Sequence, residues 1–389
     1  MLASCTALLT LASGFILLVV GFYQLFAKNS SIAGDYPLYS FGLILLTIGA
    51  ALIPFAVLKI KSIAFTAGDP VVRSPAFGFY SSIIVPVLLA LWAAVLLIGY
   101  LIIDKGMLST LIMPFLAILG VILPIFIYIS IARDKTEPLE RSRGWGALSS
   151  GMTIAPILGT TLEFGILTIA VAFIVIVIMQ DSSLMNDLQI TATRLSSGQD
   201  NPEILNNMLV TFIRRPVNQF LIFSIISGLI PIIEEVVKQI PLWLLSWRKL
   251  TPRIGFIIGA LGGAGFALTE SLMTTSTLVG SKQWLFLIFG RAGAGLMHVI
   301  TGALGGWGLA SAIQGRSYTK AVLAYITSII IHGTWNAIAT WEGIARLLGS
   351  SAYSSFYFSG ASLIPMVLMG ILFLAMLIIL IFNKKILRD

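Results

Sequence analysis

Runs of about 20 or more apolar residues follow one another with only short polar breaks, and this decides what a chain of 389 residues like this one can fold into. Lipid offers no partner to an unpaired backbone N–H or C=O. A segment of that length therefore crosses as a helix, which satisfies those groups within itself. With 58% hydrophobic and 10% charged residues the composition excludes an ordinary soluble domain. The expected fold is all-α, a polytopic transmembrane bundle of about ten spans, over residues 5–26, 37–58, 79–103, 107–132, 155–179, 217–246, 254–273, 284–313, 319–341 and 361–382.

When these spans alternate in direction, the loops on one side hold 15 of the 24 lysines and arginines and those on the other hold seven; Lys238 and Arg291 fall inside spans. The positive-inside rule makes the richer side cytoplasmic and places both termini there. The net charge of +8 is thus a topology signal; no basic stripe is present and no nucleic-acid partner is expected. Leu2-Ala3-Ser4-Cys5 matches a lipoprotein cleavage box in letters only, since no charged or apolar leader region precedes it, and the first span reads as an anchor. Cys5 is the single cysteine, so no intrachain disulfide can form.

No period of 20 to 50 residues repeats, which argues against an inverted-repeat architecture. Four regions are expected: a four-span scaffold over 1–150, a fifth span with an outer loop over 151–216, a polar-rich helix core over 217–345, and a last span with a cytoplasmic tail over 346–389. Spans one to four carry no interior charge and few glycine ladders, and read as scaffold or partner-facing surface. In the outer loop, Asn201-Pro202-Glu203 starts a helix whose stripe of Ile204, Leu205, Met208, Leu209, Phe212 and Ile213 ends at Arg214-Arg215. Such a helix lies along the membrane surface, either as a packed loop helix or as a gate beside a substrate path.

An ionisable side chain in the hydrocarbon layer costs about 2.5 to 3.5 kcal/mol, so each one found there is a functional candidate. The sixth span reads PIIEEVVKQIP, with Pro231 and Pro241 bracketing Glu234, Glu235 and Lys238. Broken backbone at this depth implies surrounding protein or a wet cavity. Glu234 and Lys238 are spaced to pair at i, i+4, leaving Glu235 on the next face. In the seventh span Gly255, Gly259 and Gly263 form a close-packing ladder that Phe266 and Glu270 continue. The eighth carries Arg291 and His298 on one face and the ninth His332 and Asn336; these are the only 2 histidines of the chain. Glu234, Glu270, His298 and His332 each lie about 20 to 25 Å along their helices at about 1.5 Å per residue, so helices from alternating sides bring them to one level. Lone structural polars have no reason to coincide in depth. Glu163 of the fifth span is the weakest member of the set.

EEVVK, FALTE, the mid-helix His298 and HGTWN, in this order on consecutive spans, resemble the PrsW family of intramembrane proteases, related to the CAAX prenyl endopeptidases and to the anterior-pharynx-defective subunit of gamma-secretase. The resemblance covers about residues 215–340. It maps Glu234, Glu235, Glu270, His298, His332 and Asn336 onto functional positions, with Lys238 and Phe266 in its motifs; Lys238 and Arg291 read as charge partners in support. Relatives outside PrsW often carry a polar residue four after the third-motif histidine; here that residue is Gly302, which moves oxyanion or water-holding duty to Asn336.

The resulting expectation is an intramembrane endopeptidase that cuts in or near the transmembrane helix of a membrane-protein substrate, in a bacterial or archaeal cell membrane; the family suggests a single-span substrate such as an anti-sigma factor. Glu234 or Glu235 would activate the water, His298 and His332 would orient it and donate to the oxyanion, and Glu270 would fix a histidine tautomer or shuttle the proton. Two histidines and carboxylates also suit zinc. HExxH is absent and each histidine stands alone on its helix, so a metal-free mechanism without cofactor is favoured, with a divalent metal left open. A proton- or ion-coupled transporter and a noncatalytic scaffold are the alternatives.

Overall fold

A computed structural model describes residues 2–27, 36–64, 83–132, 141–180, 210–245, 250–275, 284–349 and 363–386, with single positions at 139, 186, 189 and 193. The described elements are helices: α1 (Leu2–Ala27), α2 (Tyr36–Ala64), α3 (Ile84–Ile102), α4 (Met107–Ala132), α5 (Arg141–Met152), α6 (Ile154–Gln180), α7 (Pro216–Ser224), a π turn (Ile225–Leu229), α8 (Ile230–Val237), α9 (Ile240–Leu245), α10 (Pro252–Thr275), α11 (Trp284–Gly315), α12 (Tyr318–Gly349) and α13 (Leu363–Ile386). No strand occurs among the described residues. Among the described residues eight helices are long and apolar enough to cross a membrane, and Cys5–Gly21 and Tyr39–Pro54 are shorter apolar stretches where the first two spans were expected. The chain is an integral, multi-pass membrane protein. The surface helix expected over 201–213 lies outside the described residues except for its last turn, in which Val210 and Ile213 are buried.

The chain divides into two compact units. The first comprises Met1–Pro156, Glu234–His332 and Ile371–Asp389. Its centre is α10, buried along nearly all its length, and α11 beside it. Small residues explain their closeness: a Cβ on Gly255, Gly259 or Gly263 would collide with the carbonyl of Gly306, Gly302 or His298 on α11. The ladder thus sets backbone against backbone, and dispersion contacts rather than water exclusion hold the pair in lipid. On other sides of α10, Gly265 abuts the Leu148 carbonyl of α5, Gly262 abuts Pro241 of α9, and Thr269 Oγ1 donates to the Met152 carbonyl at 2.8 Å.

Spans one to four are more than a smooth scaffold. Gly14 of α1 and Gly42 of α2 face each other's backbone, so this pair packs through glycine although neither helix carries a ladder. The glycines are spread over two helices and form no run on either one, which is why periodicity hides them. Gly120 of α4 faces Ile288 of α11, and Gly295 of α11 faces Ile125 of α4. The N-terminal helices therefore wall the central pair directly.

The second unit comprises Ile157–Ile233 and Gly333–Gly370. Its α6 portion exposes Phe164, Leu167, Ile169, Val171 and Ile176, as a lipid-facing helix does. Pro231 has no N–H to give to the carbonyl four residues before it. The ladder widens there into the π turn, in which the Ile230 N–H reaches the Ile225 carbonyl, and Asn336 Nδ2 donates to the Ile226 carbonyl at 3.0 Å. Glu163 also belongs to this unit.

Candidate active site

Four helical segments of the first unit deliver the polar residues. Pro241 cannot donate to the Val237 carbonyl, so the sixth span breaks after α8 and resumes at α9. Across the break the Gln239 N–H bonds the Val236 carbonyl at 3.1 Å in a tightened i, i+3 turn. Lys238 sits in that turn, wholly buried, and its Nζ reaches Glu235 Oε1 at 2.5 Å and Glu234 Oε2 at 3.6 Å. The ammonium thus serves both carboxylates, at i, i+4 and i, i+3 along the helix, and sits closer to Glu235. The ammonium also lies 5.1 Å from the Phe266 ring centroid.

The α10–α11 ladder brings Glu270 opposite His298, whose Nε2 lies 2.6 Å from Glu270 Oε2. The Phe266 ring packs against the same imidazole, 5.3 Å between centroids. On α12, Ser328 Oγ donates to the Thr301 carbonyl of α11 at 3.1 Å. His332, one turn further on, places Nδ1 at 2.7 Å from Glu235 Oε1. The histidine rings are 5.2 Å apart and nearly perpendicular.

These contacts assign the tautomers. An ionised carboxylate only accepts, so the His332 proton is on Nδ1, facing Glu235, and the His298 proton is on Nε2, facing Glu270. Lys238 Nζ is also near His332 Nδ1, at 3.4 Å, but the 2.7 Å carboxylate contact is the stronger of the two. The remaining nitrogens, His298 Nδ1 and His332 Nε2, then carry lone pairs. Both turn toward Glu234 Oε2, at 3.9 and 3.7 Å. His298 Nδ1 is buried with no hydrogen-bond partner among the described residues.

Three electron-pair donors with no proton between them repel one another unless something electrophilic joins them. Glu234, His298 and His332 offer ligand atoms all within 4.8 Å of one another. Two imidazoles and a carboxylate are the three-ligand set that catalytic zinc takes, with a fourth position left open. Behind each histidine stands a carboxylate, the outer-shell partner that orients such ligands. The residues present fit a divalent ion.

All the expected site residues except Asn336 come together in this cluster; Asn336 belongs to the second unit, on the Ile226 carbonyl. Arg291 Nη2 lies 3.1 Å from Glu270 Oε2, and its Nε donates to Ser271 Oγ at 2.9 Å. Ser271 escaped the reading of the sequence because a serine in an apolar helix is most often bonded to its own backbone. Its one signal is its place beside Glu270. Glu235, Lys238, His298 and His332 are buried, while the Glu270 side chain is 37% exposed and that of Arg291 14%. That flank is the open side of the cluster.

Acidic and imidazole groups from separate buried helices thus gather inside a multi-pass bundle. A family profile described as PrsW family intramembrane metalloprotease matches residues 158–376, more than half of the chain. The chain belongs to the PrsW family and is an intramembrane peptidase. Nothing matches it among curated proteins or among solved structures.

Proposed function

We propose that this protein hydrolyses a peptide bond in or near the transmembrane helix of a membrane-protein substrate, at a divalent-ion site made by Glu234 Oε2, His298 Nδ1 and His332 Nε2. One observation carries the reading: these three lone-pair donors converge, and each histidine is turned toward Glu234 by a carboxylate on its other nitrogen. These three residues would hold the ion, and the chemistry it would supply there is polarisation of the scissile carbonyl and of the attacking water. Glu234 would take the water's proton on its other oxygen, Oε1, and return it to the nitrogen of the leaving amine as the C–N bond breaks. Glu235 and Glu270 hold the imidazole protons on His332 Nδ1 and His298 Nε2 and stay out of the proton path. Lys238 offsets the charge of Glu234 and Glu235 so that both can remain ionised beside each other. Asn336 gives one N–H to the Ile226 carbonyl within its own unit.

We further propose ten spans with both termini in the cytoplasm of a bacterial or archaeal cell, from the charge asymmetry of the loops, and a catalytic core over 217–345. Pro231 and Pro241 keep the sixth span from being a continuous helix, which favours admission of a substrate segment whose own helix must unwind before it can be cut. The test compares membrane-fraction proteomes of cells carrying wild-type protein and the Glu234→Gln/Glu235→Gln double variant. Fragments cut at or near a transmembrane segment should appear only with the wild type, should vanish on chelation and should return with zinc. The same fragments from the double variant would reject the assignment.

A further inference from the structure

Three carboxylates and two cations surround the candidate ion site, and the cations stand in equivalent places. Lys238 lies behind the Glu235–His332 pair, and Arg291 behind the Glu270–His298 pair. The two pairs differ in exposure. Lys238 and Glu235 are sealed, whereas Glu270 is 37% exposed. Glu270 Oε2 is buried but the rest of its side chain is open on one side, so a change of rotamer there would remove the acceptor that keeps the His298 proton on Nε2.

Arg291 counters this in a way a point charge cannot. Its Nε donates to Ser271 Oγ, which fixes the direction of the guanidinium, and its Nη2 is then held in a 3.1 Å charge contact with Glu270 Oε2, without a directed hydrogen bond. Ser271 is fully buried, which gives the clamp a rigid foot. Arg291 and His298 are seven residues apart on α11, so two helical turns, about 10.5 Å, fix clamp and imidazole relative to each other. Phe266 against the ring closes off one face of the imidazole.

We propose that Arg291, anchored by Ser271, is a positioning residue that holds Glu270 on His298 Nε2, keeps Nδ1 unprotonated and thereby sets the affinity of the site for a divalent ion. The tautomer part stands on the geometry alone; the affinity part rests on the ion-holding reading above.

Because the chain has only 2 histidines, labelling with 15N-histidine gives a two-residue spectrum of the full-length protein in nanodiscs, with His332→Gln used for assignment. In metal-stripped wild type, His298 should be protonated on Nε2 and His332 on Nδ1. Arg291→Gln should turn the His298 signal into a tautomer mixture and leave His332 unchanged. Ser271→Ala, which removes only a hydroxyl, should do so to a smaller extent, and Arg291→Lys should fall between wild type and Arg291→Gln. Zinc affinity, measured by chelator competition, should fall about 10- to 100-fold in Arg291→Gln, the usual cost of losing an outer-shell partner. An unchanged His298 tautomer in both Arg291→Gln and Ser271→Ala overturns the proposal, and a changed tautomer with unchanged zinc affinity overturns its link to ion binding. A wild type that binds no zinc while its His298 tautomer still answers to Arg291 sinks the ion-holding reading and leaves the positioning role standing.

Discussion

Lys238→Met removes the ammonium from the most enclosed charge cluster of the molecule and keeps most of the side-chain volume. Lys238 is wholly buried, within 2.5 Å of Glu235 and 3.6 Å of Glu234, with the Phe266 ring on another side. Taking away one partner of a buried ion pair leaves the other charge unmet, at a cost of about 3–5 kcal/mol. Replacing both partners of the shorter contact removes the larger of two orphans and leaves Glu234, 3.6 Å from the lost ammonium, unmet, so Glu235→Gln/Lys238→Met should recover about 2 kcal/mol of the loss. The coupling energy of the cycle is then at least about 2 kcal/mol. The assay is reversible unfolding of the metal-stripped protein in mixed detergent micelles, since a bound cation would offset the missing ammonium. Proteolysis should fail in the double variant despite its recovered stability, because Glu235 also holds the His332 proton. A single variant within about 0.5 kcal/mol of wild type, or a double variant no more stable than the single one, would refute the argument that Lys238 neutralises this pair.

Two other outcomes are expected. Gly263→Ala pushes a methyl group into the His298 carbonyl and should cost about 1–3 kcal/mol with a clear loss of cleavage, while Gly290→Ala on α11, which meets nothing within 4 Å, should be neutral in both thermal unfolding and activity. Asn336→Asp replaces the donor to the Ile226 carbonyl with a second acceptor and should lower the melting temperature more than Asn336→Ala, whose cost is about 1 kcal/mol; equal melting temperatures for Asn336→Asp and wild type would show that the bond to the π turn carries no stability.

Much of the molecule is legible in the amino-acid order because lipid is an unforgiving solvent. Apolar runs must become helices, and the helices found follow those runs. The cost of a charge in hydrocarbon singled out Glu234, Glu235, Glu270, His298 and His332 before any geometry was known, and helical arithmetic put them at one depth. The Gly255–Gly259–Gly263 ladder announced a close neighbour without naming it.

What the tertiary structure decided is what depends on distances between helices. Spacing along one helix leaves Lys238 in reach of both Glu234 and Glu235, and only the fold puts its shorter contact on Glu235. Periodicity could not show that α5 wedges against α10, or that Ser271 anchors Arg291, because both are contacts between segments remote in sequence. The sequence could offer either histidine as a proton donor or as a ligand. Only the placement of Glu235 on Nδ1 of one ring and Glu270 on Nε2 of the other turns both lone pairs toward Glu234. Depth in the membrane is a one-dimensional quantity that a chain encodes residue by residue, whereas the choice between two nitrogens of a ring is made by a partner that arrives from another helix.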